Sequence, residues 1–239
     1  MKELEDFSWF PSALRLQQLE FIGWFSKEAR IFKNLEKPFK NWLPEGRIRD
    51  LCSGSGQAAA YFSNWMGPEQ YMELSDLYPS YIETYQKLSL PPNIKINYEA
   101  LDVLKNQNNW IEEASGFTMF NAFHHFNEAQ QRQLVQCMVQ SNKPFFFVEL
   151  LRPSLWTFIQ VLITTTIGQV IFTPFIRPFR WQRFVLLPVN ILTVLIDGLI
   201  SVLKSKNAEQ YHREMEGIDL GSYEINIFEV SSIFRTQLC

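Results

Sequence analysis

Asp50, Asp76, Asp102, Asn121 and Glu149 each fall at or near the end of a short stretch that reads as a strand. Between the first two lies Cys52-Ser53-Gly54-Ser55-Gly56. Its glycines let the backbone turn tightly and let a ligand come close. The apolar-faced stretch Gln57–Trp65 follows as a helix, whose first turn offers unpaired N–H groups and a positive dipole end. A carboxylate at the end of a second strand accepts two hydrogen bonds from a ribose diol, so Asp76 is a candidate ligand for a nucleotide-like molecule. A solvated loop acid is the plainer alternative. Asp102 fits an acceptor for an adenine amino group, and equally an N-cap of the next turn. His124 and His125 are general-base candidates, because imidazole titrates near neutral pH. Their plainer role is that one of them packs or caps the helix beginning near Asn127. Glu149, Tyr78 and Glu73 are lesser candidates.

The elements that must position these groups alternate. Short stretches at 48–51, 71–76, 94–101, 117–121 and 144–149 read as strands, the last two apolar, with helical stretches between them. Leu77-Tyr78-Pro79-Ser80 reads as the opening of one such helix. The rhythm predicts an α/β fold: a Rossmann-like, doubly wound, mostly parallel sheet with helices on both faces. Ligands in such sheets sit beyond the C-terminal strand ends. Residues 8–43 are expected to be two helices that either only cover one side of the sheet or also close over the ligand, the first capped by Ser8 or Ser12 and the second ended by Pro44-Glu45-Gly46. Tyr223–Val230 alternates like a half-exposed strand. The remaining SSIFRTQLC leaves open whether the sheet has six strands or a degenerate seventh.

The chain has 239 residues, enough for one large domain. We divide it into N-terminal helices (1–45), a cofactor-binding core (46–152), a hydrophobic helical insertion (153–205) and a C-terminal strand region (206–239). A net charge of −3 disfavours a nucleic-acid partner. Phe alone occurs 21 times, which implies a large aromatic core or a surface that meets something greasy. Cys52, Cys137 and Cys239 have no metal-ligand spacing, so no metal is expected, and they suit a reducing, cytoplasmic compartment. The acidic N-terminus predicts no secretory signal.

Gly54-Ser55-Gly56-Gln57-Ala58-Ala59 by itself fits a dinucleotide fingerprint or a bland turn as well as any other nucleotide site. With its surroundings, the stretch 45–152 resembles the class I, Rossmann-like S-adenosylmethionine-dependent methyltransferases. Asp50 to Gly56 looks like their first motif, with Cys52 where the first glycine normally stands. Asp76 matches the ribose-binding acid, Asp102 the adenine-contacting acid, and Asn121 to Phe126 (NAFHHF) the fourth motif. The resemblance implies S-adenosyl-L-methionine as cofactor, held by Asp50, Cys52, Gly54, Gly56, Asp76, Leu77, Asp102 and Asn121. It implies a methyl transfer with His124 and His125 beside the acceptor. The alternatives are an NAD(P)- or FAD-dependent oxidoreductase and a cofactor-binding membrane-associated protein without activity.

The insertion is foreign to a plain methyltransferase core. Leu155–Phe175 carries no charge, and Phe184–Leu203 only Asp197. Either stretch is long enough to cross a bilayer. The short connection holds Arg177, Arg180 and Arg183, against the positive-inside tendency for a cytoplasmic domain, and Pro174 and Pro188 are expected to interrupt the helices. The reading preferred here is a hairpin lying on the cytoplasmic membrane face, with those arginines and Trp181 at the headgroups. A buried cap or dimer interface, and full spanning, are the alternatives. Asp197 is expected either to pair with one of the three arginines or to face the acceptor. The stretch also resembles an insertion in a group of uncharacterised bacterial methyltransferase-domain proteins, which share an Arg-Phe run and the Asp-Gly-x-x-Ser-x-Leu pattern of residues 197–203. A greasy insertion beside the site suggests a lipid-like or quinone-like small-molecule acceptor.

Overall fold

A computed structural model describes residues 2–78, 91–105, 107–221, 223–231 and 236–238. Five parallel strands carry the fold: β1 (Gly46–Leu51), β2 (Gln70–Asp76), β3 (Ile94–Ala100), β4 (Gly116–Phe120) and β5 (Phe145–Glu149). Two short strands, β6 (Phe228–Val230) and β7 (Thr236–Leu238), complete the order β3-β2-β1-β4-β5-β7-β6. Strand β7 runs antiparallel to both neighbours. The C-terminal tail thus supplies a seventh strand. The helix expected to open at Leu77 falls largely on residues 79–90, outside the described residues.

Strands β4 and β5 are almost wholly apolar because both faces are covered, whereas β1 carries Arg47, Arg49 and Asp50 beside its apolar Ile48 and Leu51. On one face Ile48, Phe146 and Val148 meet Phe32, Leu35, Phe39 and Phe62. On the other, Leu51, Phe117, Met119 and Phe147 meet Trp110, Leu134, Val135, Met138 and Tyr211. The first face is built by α1 (Ser12–Glu28), α2 (Glu36–Trp42) and α3 (Gln57–Ser63). The second is built by α4 (Gln107–Glu112), α5 (Glu128–Ser141) and α9 (Ala208–Met215). Only Phe228–Val230 of the expected strand at 223–230 pairs in the sheet. The residues before it turn inward instead: Tyr223 stacks on Phe145, while Ile225 and Ile227 pack on the second core.

The serine cap expected for α1 is not used. Pro11 holds the N-cap position with no side-chain hydrogen bond, and Ser12 is already helical. Chain entry is fixed instead by buried Phe10 and by Arg15, whose Nη2 donates to the Phe7 carbonyl at 2.8 Å. Helix α1 buries Arg15, Gln17, Gln18 and Glu20 as well as Leu14 and Phe21. It can do so because it is sandwiched: α3 lies on one side and the insertion on the other.

The insertion is an antiparallel hairpin. Its first arm is α6 (Leu155–Ile163), a π-helical turn (Thr164–Gly168) and α7 (Gln169–Phe172); its second arm is α8 (Gln182–Lys204). Pro188 lies inside α8 without interrupting it, whereas Pro174 sits in the 3₁₀ turn that ends the first arm. The inner face is polar, with Thr157, Thr165, Gln169, Asn190, Asp197 and Ser201 all buried. Several of its hydroxyls bond back to carbonyls four residues earlier, as Thr165 does to Val161 at 2.8 Å. The outer face is apolar and exposed: Trp156 by 65%, Val185 by 67% and Leu203 by 70%. The arms meet at Gly198, where a Cβ would stand 2.8 Å from Val161 Cγ1. Gly198→Val is expected to destabilise the protein by about 1–3 kcal/mol through overpacking, read as a lower melting temperature. An unchanged melting temperature would mean the arms do not close here.

Candidate active site

A cavity of about 510 Å³ opens beyond the C-terminal ends of β1, β2 and β4. Its floor is the turn after β1. There Cys52, Gly54 and Gly56 all have left-handed backbone, with φ of 54°, 51° and 59°. Glycine takes this conformation freely, whereas cysteine carries strain of about 1 kcal/mol. Gly54 also needs its missing side chain, since a Cβ would come within 3.2 Å of Leu19. Burial pushes the Cys52 thiol well up, with Asp76 and Asp50 adding to the shift, so it is a neutral wall group and no nucleophile.

Asp76 closes one side. Its Oδ2 accepts from Gly54 N and its Oδ1 from Tyr78 N, each at 2.9 Å. Burial raises its pKa, against these two donors. Leu77 lies at the rim, half exposed. Asp102 also lines the cavity, and it does two local jobs: Oδ1 accepts from Leu104 N at 3.1 Å, and Oδ2 pairs with Lys105 at 2.8 Å. The Lys105 hydrogen bond holds its carboxyl below the usual range. Asn121, in left-handed backbone, accepts from Leu150 N through Oδ1 and borders the cavity.

Two of the expected residues are not on the cavity wall. Gly56 sits one step back, at the N-cap of α3. Asp50 is buried under the strand end, where Thr118 Oγ1 donates to its Oδ1 at 2.6 Å. Burial pushes Asp50 up to about 7, against hydrogen bonds from Thr118 and Ser53. A raised folded pKa favours the folded state at low pH, and this contribution is lost between about pH 4 and 7. Asp50→Asn is therefore expected to raise the melting temperature at pH 8 by several degrees and to leave it unchanged at pH 4. Equal effects at both pH values would contradict the burial.

The opposite wall joins the histidines to the N-terminal segment. His124 Nδ1 lies 2.5 Å from Glu149 Oε2, and Glu149 Oε1 accepts from Phe123 N. His125 Nδ1 lies 2.8 Å from Asp6 Oδ1. Burial alone would lower the His125 pKa, but Glu3, Asp6 and Glu5 outweigh it and push it up to about 9. Neither histidine caps α5; Asn127 does, through Gln130 N.

Sequence reasoning missed Glu3, Glu5, Asp6 and Arg15 as parts of this wall. The segment Leu4–Asp6 is a single 3₁₀ turn held from three directions. Arg15 Nε donates to the Glu5 carbonyl, Lys204 pairs with Glu3, and Asp197 accepts from Leu4 N at 2.6 Å and Glu5 N at 3.3 Å. Asp197 thus does not pair with an arginine. It stands 14 residues beyond Arg183 on one helix, about 21 Å away. Arg180 and Arg183 instead pair with Glu20 of α1.

No protein-family model matches the sequence, and no curated protein matches it. The fold, however, is shared with solved methyltransferases. The plantazolicin methyltransferase BpumL, in complex with a monoazolic desmethylPZN analog and SAH, aligns over 93% of this chain and 73% of its own. Its TM-score is 0.51 at 15% identity. The CurJ carbon methyltransferase aligns over 88% of this chain and 52% of its own, with TM-score 0.51 and 13% identity. PigF with SAH aligns over 98% and 61%, again at 0.51 and 13%. The chain has the Rossmann-like α/β fold of these methyltransferases.

Proposed function

We propose that the chain is an S-adenosyl-L-methionine-dependent methyltransferase acting on a hydrophobic or membrane-associated small molecule. One observation carries the reading: in a methyltransferase fold, residues 52–55 of the glycine turn and the Asp76 carboxylate meet in one cavity. The cavity lies in the size range of small-molecule sites. The left-handed turn gives a ligand close access to the backbone. Asp76 keeps lone pairs free of its two backbone donors for a diol. The sheet order argues against the dinucleotide reading, because dinucleotide folds run 3-2-1-4-5-6 without an antiparallel strand between the fifth and sixth.

When bound, the cofactor supplies a sulfonium methyl group, which an acceptor lone pair takes in line while the carbon–sulfur bond's electrons return to sulfur. The chain's own task is to orient, to exclude water and to handle the acceptor's proton. Asp76, Asp102, Asn121, Leu77 and the glycine turn hold the cofactor end. Asp50 and Gly56 support that turn from behind. His124, oriented by Glu149, and His125, beside Asp6, face the acceptor end. Phe21, Ile22, Phe25, Phe120 and Val194 give this end its apolar character.

The hairpin supports a greasy acceptor and a peripheral seat on the cytoplasmic membrane face. Both arms are long and apolar enough to cross a membrane. The Glu20 pairs with Arg180 and Arg183 keep the connecting loop against α1, which favours lying on a membrane over crossing it.

The test is calorimetric binding of S-adenosylhomocysteine to wild type and to Asp76→Ala. Micromolar binding is expected, weakened at least tenfold in the variant. A folded wild type that binds none would sink the reading.

A further inference from the structure

We infer that Glu3, His124 and His125 form a binding site for one divalent transition-metal ion, with Zn²⁺ the best match to their chemistry. Their ligand atoms lie within 4.8 Å of one another. Glu3 Oε1 is 3.6 Å from His124 Nε2, and Glu3 Oε2 is 3.6 Å from His125 Nε2. These gaps are too long for hydrogen bonds. They are close to the roughly 3.4 Å that separates two ligands of a tetrahedral ion with bonds of about 2.1 Å.

Three further features point to an ion. His124 is 1% exposed, and its Nε2 has no hydrogen-bond partner among the described residues. A buried imidazole nitrogen without a partner is costly, and here it is aimed at the cluster. Both rings also present the same nitrogen. Each uses Nδ1 toward a carboxylate, His124 to Glu149 and His125 to Asp6, and each leaves Nε2 facing Glu3. That is the outer-shell pattern of metal-ligating histidines, where the carboxylate fixes the tautomer and strengthens the ligand. Finally, the two rings are surrounded by carboxyl groups: Glu3, Glu5, Asp6 and Glu149 lie against them, and Lys204 is the lysine bonded to Glu3. A divalent cation suits such a set of oxygen and nitrogen ligands. Lys204 holds Glu3 Oε1 at 2.9 Å and shares Glu3 with the ion.

Two imidazoles and one carboxylate are the ligand set of open zinc sites, which keep a fourth position for water or substrate. All three residues line the cavity, so the fourth position faces it. On the methyl-transfer reading, an acceptor oxygen bound there would lose its proton more readily, because the ion stabilises the oxyanion. The ion site itself does not rest on that reading.

The experiment uses untagged, chelator-treated full chain, titrated calorimetrically with Zn²⁺ and optically with Co²⁺. Wild type is expected to bind one equivalent with micromolar or tighter affinity and to give the visible Co²⁺ absorption of a nitrogen–oxygen site. Glu3→Gln and His125→Ala are expected to lose affinity at least 100-fold, and Asp6→Asn about tenfold through the outer shell. His212→Ala, away from the cluster, is expected to bind like wild type. Circular dichroism and S-adenosylhomocysteine binding report whether each variant is folded. Absence of saturable binding by folded wild type overturns the site, as does wild-type affinity in Glu3→Gln and His125→Ala. Zinc binding without S-adenosylhomocysteine binding retains the site and sinks the methyltransferase reading; the reverse result does the opposite.

Discussion

Glu20→Ala is expected to lower the melting temperature by about 10 °C. Glu20 is fully buried on α1 and receives Arg183 Nη2 and a forked contact from Arg180 at 3.2–3.3 Å. Arg183 is itself 3% exposed, and its Nη1 donates to the Ile176 carbonyl. Burial already lowers the Arg183 pKa, against the attraction of Glu20. Removing the carboxylate leaves a buried guanidinium without its counter-charge, which costs about 3–5 kcal/mol. At roughly 2–4 °C per kcal/mol for a domain of this size, the shift is large. The pair as a whole is worth much less than its breakage costs. Glu20→Met with Arg183→Leu is therefore expected to recover most of the loss. A thermal melt of wild type and the two variants checks this; a drop below about 2 °C for Glu20→Ala would mean the hairpin is not anchored through this pair. Because α1 and the hairpin both wall the cavity, the single variant is also expected to weaken S-adenosylhomocysteine binding.

The sheet was legible because parallel strands buried on both faces read as unbroken apolar runs, as in PFFFVE at 144–149. Polar groups at strand ends followed from the same reading, and Asp76, Asp102 and Asn121 do line the cavity. Asp50 shows the limit: its position at the end of β1 was legible, but the direction of its side chain was set by Thr118 across the sheet, 68 residues away. The N-terminal wall left no local signal. His125 meets Asp6 across 119 residues and Asp197 meets Leu4 across 193, distances over which no periodicity speaks. The hairpin lay between these cases. Its apolar composition was plain, and its polar residues also recur at helical spacing: Thr157, Thr165, Gln169 and Thr173 on one arm, Asn190, Thr193, Asp197 and Ser201 on the other. That spacing marks a single face turned toward protein. Read with it, the hairpin has its apolar side outward, and Asp197 belongs on the inner side with no arginine required.

Trp181→Ser with Val185→Ser and Leu192→Ser is expected to reduce binding to phospholipid vesicles at least 100-fold without a change in fold. The three are exposed by 64%, 67% and 58% and lie on one stripe of α8 and its N-cap. An outward apolar face this continuous exceeds what soluble monomers usually show. Burying one such side chain gains about 1.5–3 kcal/mol, so losing three removes about 5 kcal/mol of attachment. The charge dependence is expected to be weak. Three arginines at the headgroups would favour anionic lipid by about 1 kcal/mol each. Yet Arg180 and Arg183 are spent on Glu20, and only Arg177 of the three is exposed. Flotation assays are therefore expected to show attachment to neutral vesicles as well as anionic ones, with at most a tenfold preference for the latter and little loss on adding salt. Attachment to anionic vesicles alone, abolished by salt, would show that basic groups elsewhere carry the contact. A wild type that stays off both vesicle types and runs as a dimer, while the triple variant runs as a monomer, would assign the apolar face to a second copy of the chain.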